Sequence, residues 1–238
     1  MTRAVRAEHP GGGAGVVGRI LRRIGWRMGL LFAAILLPLW GFAELGEEVH
    51  QAESFVFDDP ILLRAKALSG PWLDQAFLGI SWAGYQGVIL VDALLVTGLL
   101  LARRWREATF VGATVVGSAL LNMGTKQLFG RARPSLWESI SPEDTFSFPS
   151  GHAMGSMTLM VVLVLLAWGT RGRWPALVLC ALFALAVGAS RVYLGVHYPS
   201  DILGGWAAAI AWTVGVYAAI FRGARRPWKT PQVEPPAR

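Results

Sequence analysis

The sequence predicts an all-α fold, a six-transmembrane-helix bundle with short interfacial helices in its first extracytoplasmic loop. Three observations predict it. Hydrophobic residues fill 54% of the 238 positions and charged residues only 16%, short of the roughly one quarter usual in soluble domains. The apolar residues gather into runs long enough to cross ~30 Å of hydrocarbon. Basic residues stand in short clusters between alternate runs, as the positive-inside rule expects. Inside lipid a chain must satisfy its own backbone polar groups, so the runs are helices.

The elements follow in order. Residues 1–18, with Pro10 and the Gly11-Gly12-Gly13 run, read as a flexible tail. The membrane domain is expected over 19–225, and 226–238 form a C-terminal tail. Spans are predicted at 27–44, 85–102, 107–125, 153–170, 174–190 and 202–221. The run from Met28 to Ala43 could serve a cleaved signal peptide, but no small-residue cleavage site clearly follows, so it is expected to stay as the first span. Segment 45–84 is punctuated by Asp59-Pro60 and Gly70-Pro71. Its pieces 60–69 and 72–82 mix apolar and polar residues. They read as amphipathic segments on the membrane surface, with packing against the bundle as the alternative. Trp40, Trp82, Trp105, Trp168, Trp174 and Trp206 fall near span ends, as interfacial aromatics do.

Orientation follows from the Lys and Arg residues. Sixteen of the 22 (Arg3, Arg6, Arg19, Arg22, Arg23, Arg27, Arg103, Arg104, Arg106, Arg171, Arg173, Arg222, Arg225, Arg226, Lys229 and Arg238) flank one face, which is then cytoplasmic. Both termini lie on that side, in a bacterial plasma membrane. The net charge is +7 and the pI about 10.3. These charges form no groove-reading motif, which argues against a nucleic-acid partner. Cys180 is the one cysteine and sits in an apolar run, where it reads as a small hydrophobe. Oligomeric state is not legible.

Six basic residues resist the pattern, and four of them lie in two of three polar stretches that share the opposite face. The first stretch runs from Lys126 through Arg131 to Arg133-Pro134. The second is Pro149-Ser150-Gly151-His152. The third runs from Ser190-Arg191 through His197 to Asp201. Lys126, Arg133 and Arg191 are three cations brought to one place, and they call for an anion. Guanidinium groups match phosphate oxygens in a two-pronged fashion, and lysine adds a point charge. Ser150 and Gly151 open the fourth span, where first-turn N–H groups and the helix dipole favour an anion. His152 and His197 can act as nucleophile or general acid near neutral pH. Asp201, four residues after His197, is placed to orient its imidazole. No cluster of carboxylates offers a metal site, and no cofactor is expected.

The three stretches resemble the motifs of the type 2 phosphatidic acid phosphatase superfamily, and the likeness covers about 85–221. That family includes lipid phosphate phosphatases, bacterial undecaprenyl-diphosphate phosphatases and, more distantly, glucose-6-phosphatase and vanadium haloperoxidases. The resemblance implies His197 as nucleophile, Asp201 as its orienting partner and His152 as the acid that protonates the leaving group and then activates water. It implies Lys126, Arg133, Ser150, Gly151 and Arg191 as holders of the phosphate oxygens. A lipid phosphate or diphosphate in the bilayer is the implied partner, with undecaprenyl diphosphate, phosphatidic acid and phosphatidylglycerol phosphate as candidates. Three other readings compete. A vanadate-dependent haloperoxidase is opposed by the six apolar runs. A non-enzymatic lipid binder or transporter would not need the histidines. A phosphotransferase would share the first half-reaction. Among weaker features, Asp92 inside span two is either functional or buried between helices, and Asn122 either lines the site or bonds between helices. Arg131 is expected at the surface or on lipid headgroups, and His9 and His50 in solvent.

Overall fold

The computed structural model describes residues 25–51, 55–221 and 227. Within them every regular element is a helix: α1 (Trp26–His50), α2 (Asp58–Ala67), α3 (Pro71–Trp82), α4 (Val88–Leu101), α5 (Trp105–Phe129), α6 (Gly151–Ala167), α7 (Arg173–Tyr193) and α8 (Pro199–Ile220). A π-helical turn, Ala83–Gly87, joins α3 to α4. The tails expected over 1–18 and 226–238 lie outside the described residues, Pro227 apart. So do His9, the arginines before Arg27 and the basic residues after Phe221.

Five helical stretches are long and apolar enough to cross a membrane: Met28–His50, Pro71–Leu101, Trp105–Phe129, Arg173–Tyr193 and Pro199–Ile220. The remaining apolar helix, α6, has 17 residues, about 26 Å at 1.5 Å per residue. Their outward faces are oily. Leu37, Trp40, Leu94, Leu120, Leu179 and Leu182 are all more than half exposed, the pattern of a chain whose solvent is lipid.

Two boundaries differ from the sequence expectation. α1 continues past residue 44 to His50, carrying Glu44, Glu47 and Glu48 on its last turns. The second span begins at Pro71 and not at 85, because α3, the π turn and α4 form one 31-residue apolar helix. Two of the polar residues that made 72–82 look like a surface segment turn inward: Ser81 is buried and Asp74 half-buried, whereas Trp72, Gln75 and Trp82 face out. α2 takes the packing alternative. It lies against α7 and α8, with Leu62 fully buried.

α8 is the centre of the bundle, packed against α1, α5 and α6, while α6 also packs on α7. Polar bonds pin the crossings. Ser118 of α5 meets Thr158 of α6 at 2.9 Å, and the Trp212 indole donates to the Thr114 carbonyl at 2.9 Å. Such inter-helix bonds contribute ~0.6 kcal/mol each in a membrane. Two helix ends come unusually close. A Cβ on Gly204 would stand 2.4 Å from the Phe148 ring, and one on Gly205 2.8 Å from the Ser150 carbonyl oxygen. The Gly-Gly pair therefore lets α8 seat the segment leading into α6. Phe148 stacks on Phe42 of α1 (5.6 Å between centroids) and meets Phe129 edge-on at 5.0 Å. The C-terminal ends of α5 and α7 and the N-terminal ends of α6 and α8 thus share one end of the bundle. Arg103, Arg104, Arg171 and Arg173 flank the other, with Arg106, which donates to the Ile220 carbonyl at 3.2 Å.

Candidate active site

His197 lies in the short turn between α7 and α8 and is fully buried. The turn is made by Gly195, whose φ of +71° favours glycine. A Cβ there would also strike the Trp137 indole at 2.5 Å. Pro199 at the first position of α8 starts the helix. Asp201, two residues on, reaches back to accept from the Tyr198 N–H at 2.8 Å. The same carboxylate oxygen, Oδ2, faces His197 Nδ1 at 3.3 Å and accepts the Ser147 hydroxyl. Together these bonds assign the imidazole proton to Nδ1 and leave the Nε2 lone pair facing the other way, where Arg133 Nη1 lies 3.1 Å off. Burial pushes the imidazole down to about 4, against the upward pull of the bond to Asp201 and its charge. His197 is therefore neutral near pH 7 and carries a free nitrogen nucleophile.

The three cations converge as the sequence suggested. Lys126, in the last turn of α5, donates to Thr145 Oγ1 (2.9 Å) and the Phe146 carbonyl (2.6 Å). Arg133 donates to the Thr145 carbonyl (2.6 Å) and the Val196 carbonyl (2.7 Å). Arg191 is 1% exposed, donates to Ser81 of α3, and has a buried Nε without a partner. Glu143, which the sequence reading did not single out, lies between them. One carboxylate oxygen accepts from Arg133 at 2.6 Å and lies 3.9 Å from His197 Nε2. The other accepts from Arg191 and lies 3.7 Å from His152 Nδ1. Burial would raise its pKa, but Arg191 first, then His197 and Arg133, hold it below the usual carboxylate range.

Ser150 caps α6, its hydroxyl accepting from the Ala153 N–H at 3.4 Å. Its own N–H is taken by the Asp201 carbonyl at 3.1 Å. The first-turn amides that lack an intrahelical acceptor are thus those of Gly151 and His152. His152 packs against the Tyr85 ring at 5.0 Å. All eight residues singled out in the sequence (Lys126, Arg133, Ser150, Gly151, His152, Arg191, His197 and Asp201) therefore lie at one end of the bundle, four of them (Arg133, His152, Arg191 and His197) within 4 Å of the Glu143 carboxylate.

Other residues behave differently from expectation. Arg131 is not on the surface. Its side chain is 12% exposed and bridges Asp201 Oδ1 (2.6 Å) and Asp58 Oδ2 (2.9 Å). The sequence reading treated it as a spacer because its partners lie 70 and 73 residues away. Asn122 stands against the second motif: its amide donates to the Pro149 carbonyl at 3.1 Å, and a Cβ on Gly151 would lie 3.1 Å from its Oδ1. Asp92 is buried in α4 with Oδ1 unpartnered. His50 is exposed, as expected. Among the described residues, no group of three or more His, Cys, Asp or Glu is placed to hold a metal ion.

A cradle of cations beside a buried histidine paired with an aspartate, at one end of an apolar helical bundle, defines a membrane protein with an anion site at one end of its helices. The comparisons place it further: the chain belongs to the PAP2 superfamily, whose description matches residues 107–225. Phosphatidylglycerophosphatase B of Bacillus subtilis is 27% identical over 175 residues, covering 71% of this chain and 86% of that protein. The lipid A 4'-phosphatase of Bacteroides thetaiotaomicron is 33% identical over 172 residues, covering 62% of this chain and 70% of that one. The crystal structure of a transmembrane PAP2-type phosphatidylglycerolphosphate phosphatase from Bacillus subtilis superposes with a TM-score of 0.70 at 25% identity, covering 79% of this chain and 96% of that one.

Proposed function

We propose that the protein is a six-span, metal-independent phosphatase of lipid phosphates or diphosphates that works through a phosphohistidine on His197. The observation that carries this is Glu143. A carboxylate held by Arg133 and Arg191, within 4 Å of both histidines, marks where the oxygens of a phosphoryl group bind. A phosphate dianion offers more acceptors and more charge than a carboxylate, so it displaces Glu143 from Arg133 and Arg191 and draws Lys126 from Thr145. Arg133 then turns from Nε2 to the phosphate. The Gly151 amide and the α6 dipole complete the cradle, and the weakly held Ser150 hydroxyl can rotate to join them.

Nε2 attacks phosphorus in line, forming the P–N bond as the P–O bond to the lipid breaks. His152, protonated from solvent once the phosphate dianion lies beside it, gives that proton to the departing oxygen. Positive charge grows on His197 in this step, and Asp201, bonded at Nδ1, stabilises it. Water, deprotonated by His152, then attacks the phosphohistidine. Phosphate leaves and both histidines return to their starting states. Three cations and helix-terminal amides supply the charge stabilisation that magnesium supplies in many phosphoryl-transfer enzymes.

The first test is phosphate release by purified protein from undecaprenyl diphosphate, phosphatidate and phosphatidylglycerol phosphate, with and without EDTA. Activity on at least one lipid is expected to survive chelation. It is also expected to be lost with vanadate, which mimics the five-coordinate transition state. Chelator inhibition reversed by Mg²⁺ would refute metal independence.

The arginines of the α4–α5 and α6–α7 turns lie at the end opposite the site, which supports an extracytoplasmic site and a substrate drawn from the outer leaflet. Undecaprenyl diphosphate, released on that side of a bacterial plasma membrane, leads the list. The reporter is Glu138, exposed in the loop over the site. In a Cys180→Ser background, Glu138→Cys is expected to react with an impermeant maleimide in intact spheroplasts. Labelling only after permeabilisation would put the site in the cytoplasm.

A further inference from the structure

Asp58 stands at the start of α2, outside the residues matched to the family and far from the three motifs in sequence. It is 2% exposed, a costly place for a carboxylate unless it is paired. Its partners all lead to Asp201. Oδ1 accepts from the Ser200 N–H at 3.0 Å, and Oδ2 accepts from the Ser200 hydroxyl at 2.5 Å. Oδ2 also accepts from Arg131 Nη2 at 2.9 Å, and Arg131 Nη1 donates to both Ser200 Oγ (2.7 Å) and Asp201 Oδ1 (2.6 Å). The Arg131 plane is backed by the Tyr198 ring, 4.2 Å from the guanidinium carbon. One oxygen of Asp201 thus faces His197, and the other is held by this chain.

We propose that Asp58 and Arg131 are positioning residues that hold Asp201 in place and set the net charge around it, and through both the basicity and aim of His197. The proposal rests on the reading of His197 as nucleophile. Formal charge decides its sign. Asp58, Arg131 and Asp201 sum to −1. Removing Arg131 leaves −2 beside His197, which favours its protonated form. Removing the charge of Asp58 leaves zero, which disfavours it. Removing both restores −1. The other charged or titratable groups facing the imidazole are Arg133 and Glu143 from the α5–α6 loop, Arg191 from α7 and His152 from α6. Lys126 from α5 shares their field. All are the same in every variant, so differences report Asp58 and Arg131 alone. A scaffold role for the pair predicts something else: a double variant at least as impaired as either single one.

The test uses full-length protein labelled with ¹⁵N-histidine in detergent, titrated from pH 2.5 to 8, with His197 assigned by His197→Asn. Relative to wild type, the His197 midpoint is expected to rise by about one unit in Arg131→Gln and to fall in Asp58→Asn. In the double variant it should return to within about 0.3 unit. On dioctanoyl phosphatidate, Arg131→Gln should lower kcat about tenfold or more while KM changes less than about threefold, because neither residue touches phosphate. Arg131→Lys should recover part of that loss. Shifts of the same sign in the two single variants, or a double variant displaced further than either, overturn the proposal. If Arg131→Gln does not fold, Asp58→Asn decides alone. It leaves the Arg131–Asp201 pair intact, and a midpoint that fails to fall refutes the charge chain. Wild-type protein that releases no phosphate from any lipid would instead refute the phosphatase reading, independently of these midpoints.

Discussion

His197→Ala is expected to lower phosphate release by about 10⁴-fold or more, ~5.5 kcal/mol of transition-state stabilisation. The side chain removed is the one group placed to bond to phosphorus. His197 is buried, Nδ1 is committed to Asp201, and Nε2 opens on the cation cradle. No neighbour can substitute. Glu143 shares the pocket, but its carboxylate is paired with two arginines, which leaves it a poor nucleophile. The truncation leaves a small cavity beside Asp201, whose charge keeps Arg131, the Ser147 hydroxyl and the Tyr198 N–H as partners. The protein should therefore still insert and elute as wild type. The measurement pairs phosphate release with incorporation of ³²P after an alkaline SDS quench, which preserves a phosphoramidate and which the variant should leave unlabelled. Retention of more than a few per cent of wild-type activity would remove His197 from the role.

The parts of this site written as motifs were legible because they break the rule of the sequence around them. Lys126, Arg133, Arg191, His152 and His197 are polar or charged residues at the ends of apolar runs, where cost makes them conspicuous. Asp201 was legible because it stands four residues after His197, in the first turn of α8, from where its carboxylate reaches back to the turn before the helix. Glu143 was not. It stands in a polar loop beside Asp144, and nothing local separates the paired, half-buried anion from its exposed neighbour; the only sign was that three cations required one. Asp58 and Arg131 were missed because their partners lie far off in sequence, Asp201 70 residues from Arg131, and Arg131 and Ser200 73 and 142 residues from Asp58. Asp58 looked like one of several loop acids, and Arg131 like the spacer between two motif positions. The fold shows the same division. The apolar runs announced the helices, but not that α3 and α4 form one helix. Asp74 and Ser81 gave 72–82 an amphipathic look, yet in the bundle the Tyr193 hydroxyl donates to Asp74 at 2.6 Å and Ser81 meets Arg191. Polarity that faces another helix reads the same as polarity that faces water until the partner is known.

His152→Ala is expected to separate substrates by their leaving groups. His152 opens α6 with its ring against Tyr85 and Nδ1 on the Glu143 carboxylate, on the other side of that carboxylate from His197. A phosphoryl group in place of Glu143 would have His197 at one face and His152 near the departing oxygen. A lipid alkoxide is a strong base and leaves only when protonated, whereas p-nitrophenolate leaves readily without a proton. General acid catalysis contributes typically 10²–10⁴-fold where the leaving group needs it. For dioctanoyl phosphatidate, kcat/KM should therefore fall by about 10³-fold, and for p-nitrophenyl phosphate by about tenfold or less. The comparison uses kcat/KM because it reports the steps through departure of the leaving group. The second half-reaction is shared by both substrates and also needs His152, as base toward water. Its loss should stall the phosphoenzyme. p-Nitrophenyl phosphate should thus give His152→Ala a burst of about one nitrophenolate per active site, followed by slow turnover, with ³²P trapped on His197. Equal losses of kcat/KM on the two substrates, with no burst, would mean that His152 only holds phosphate in place and that the proton for the leaving group comes from elsewhere.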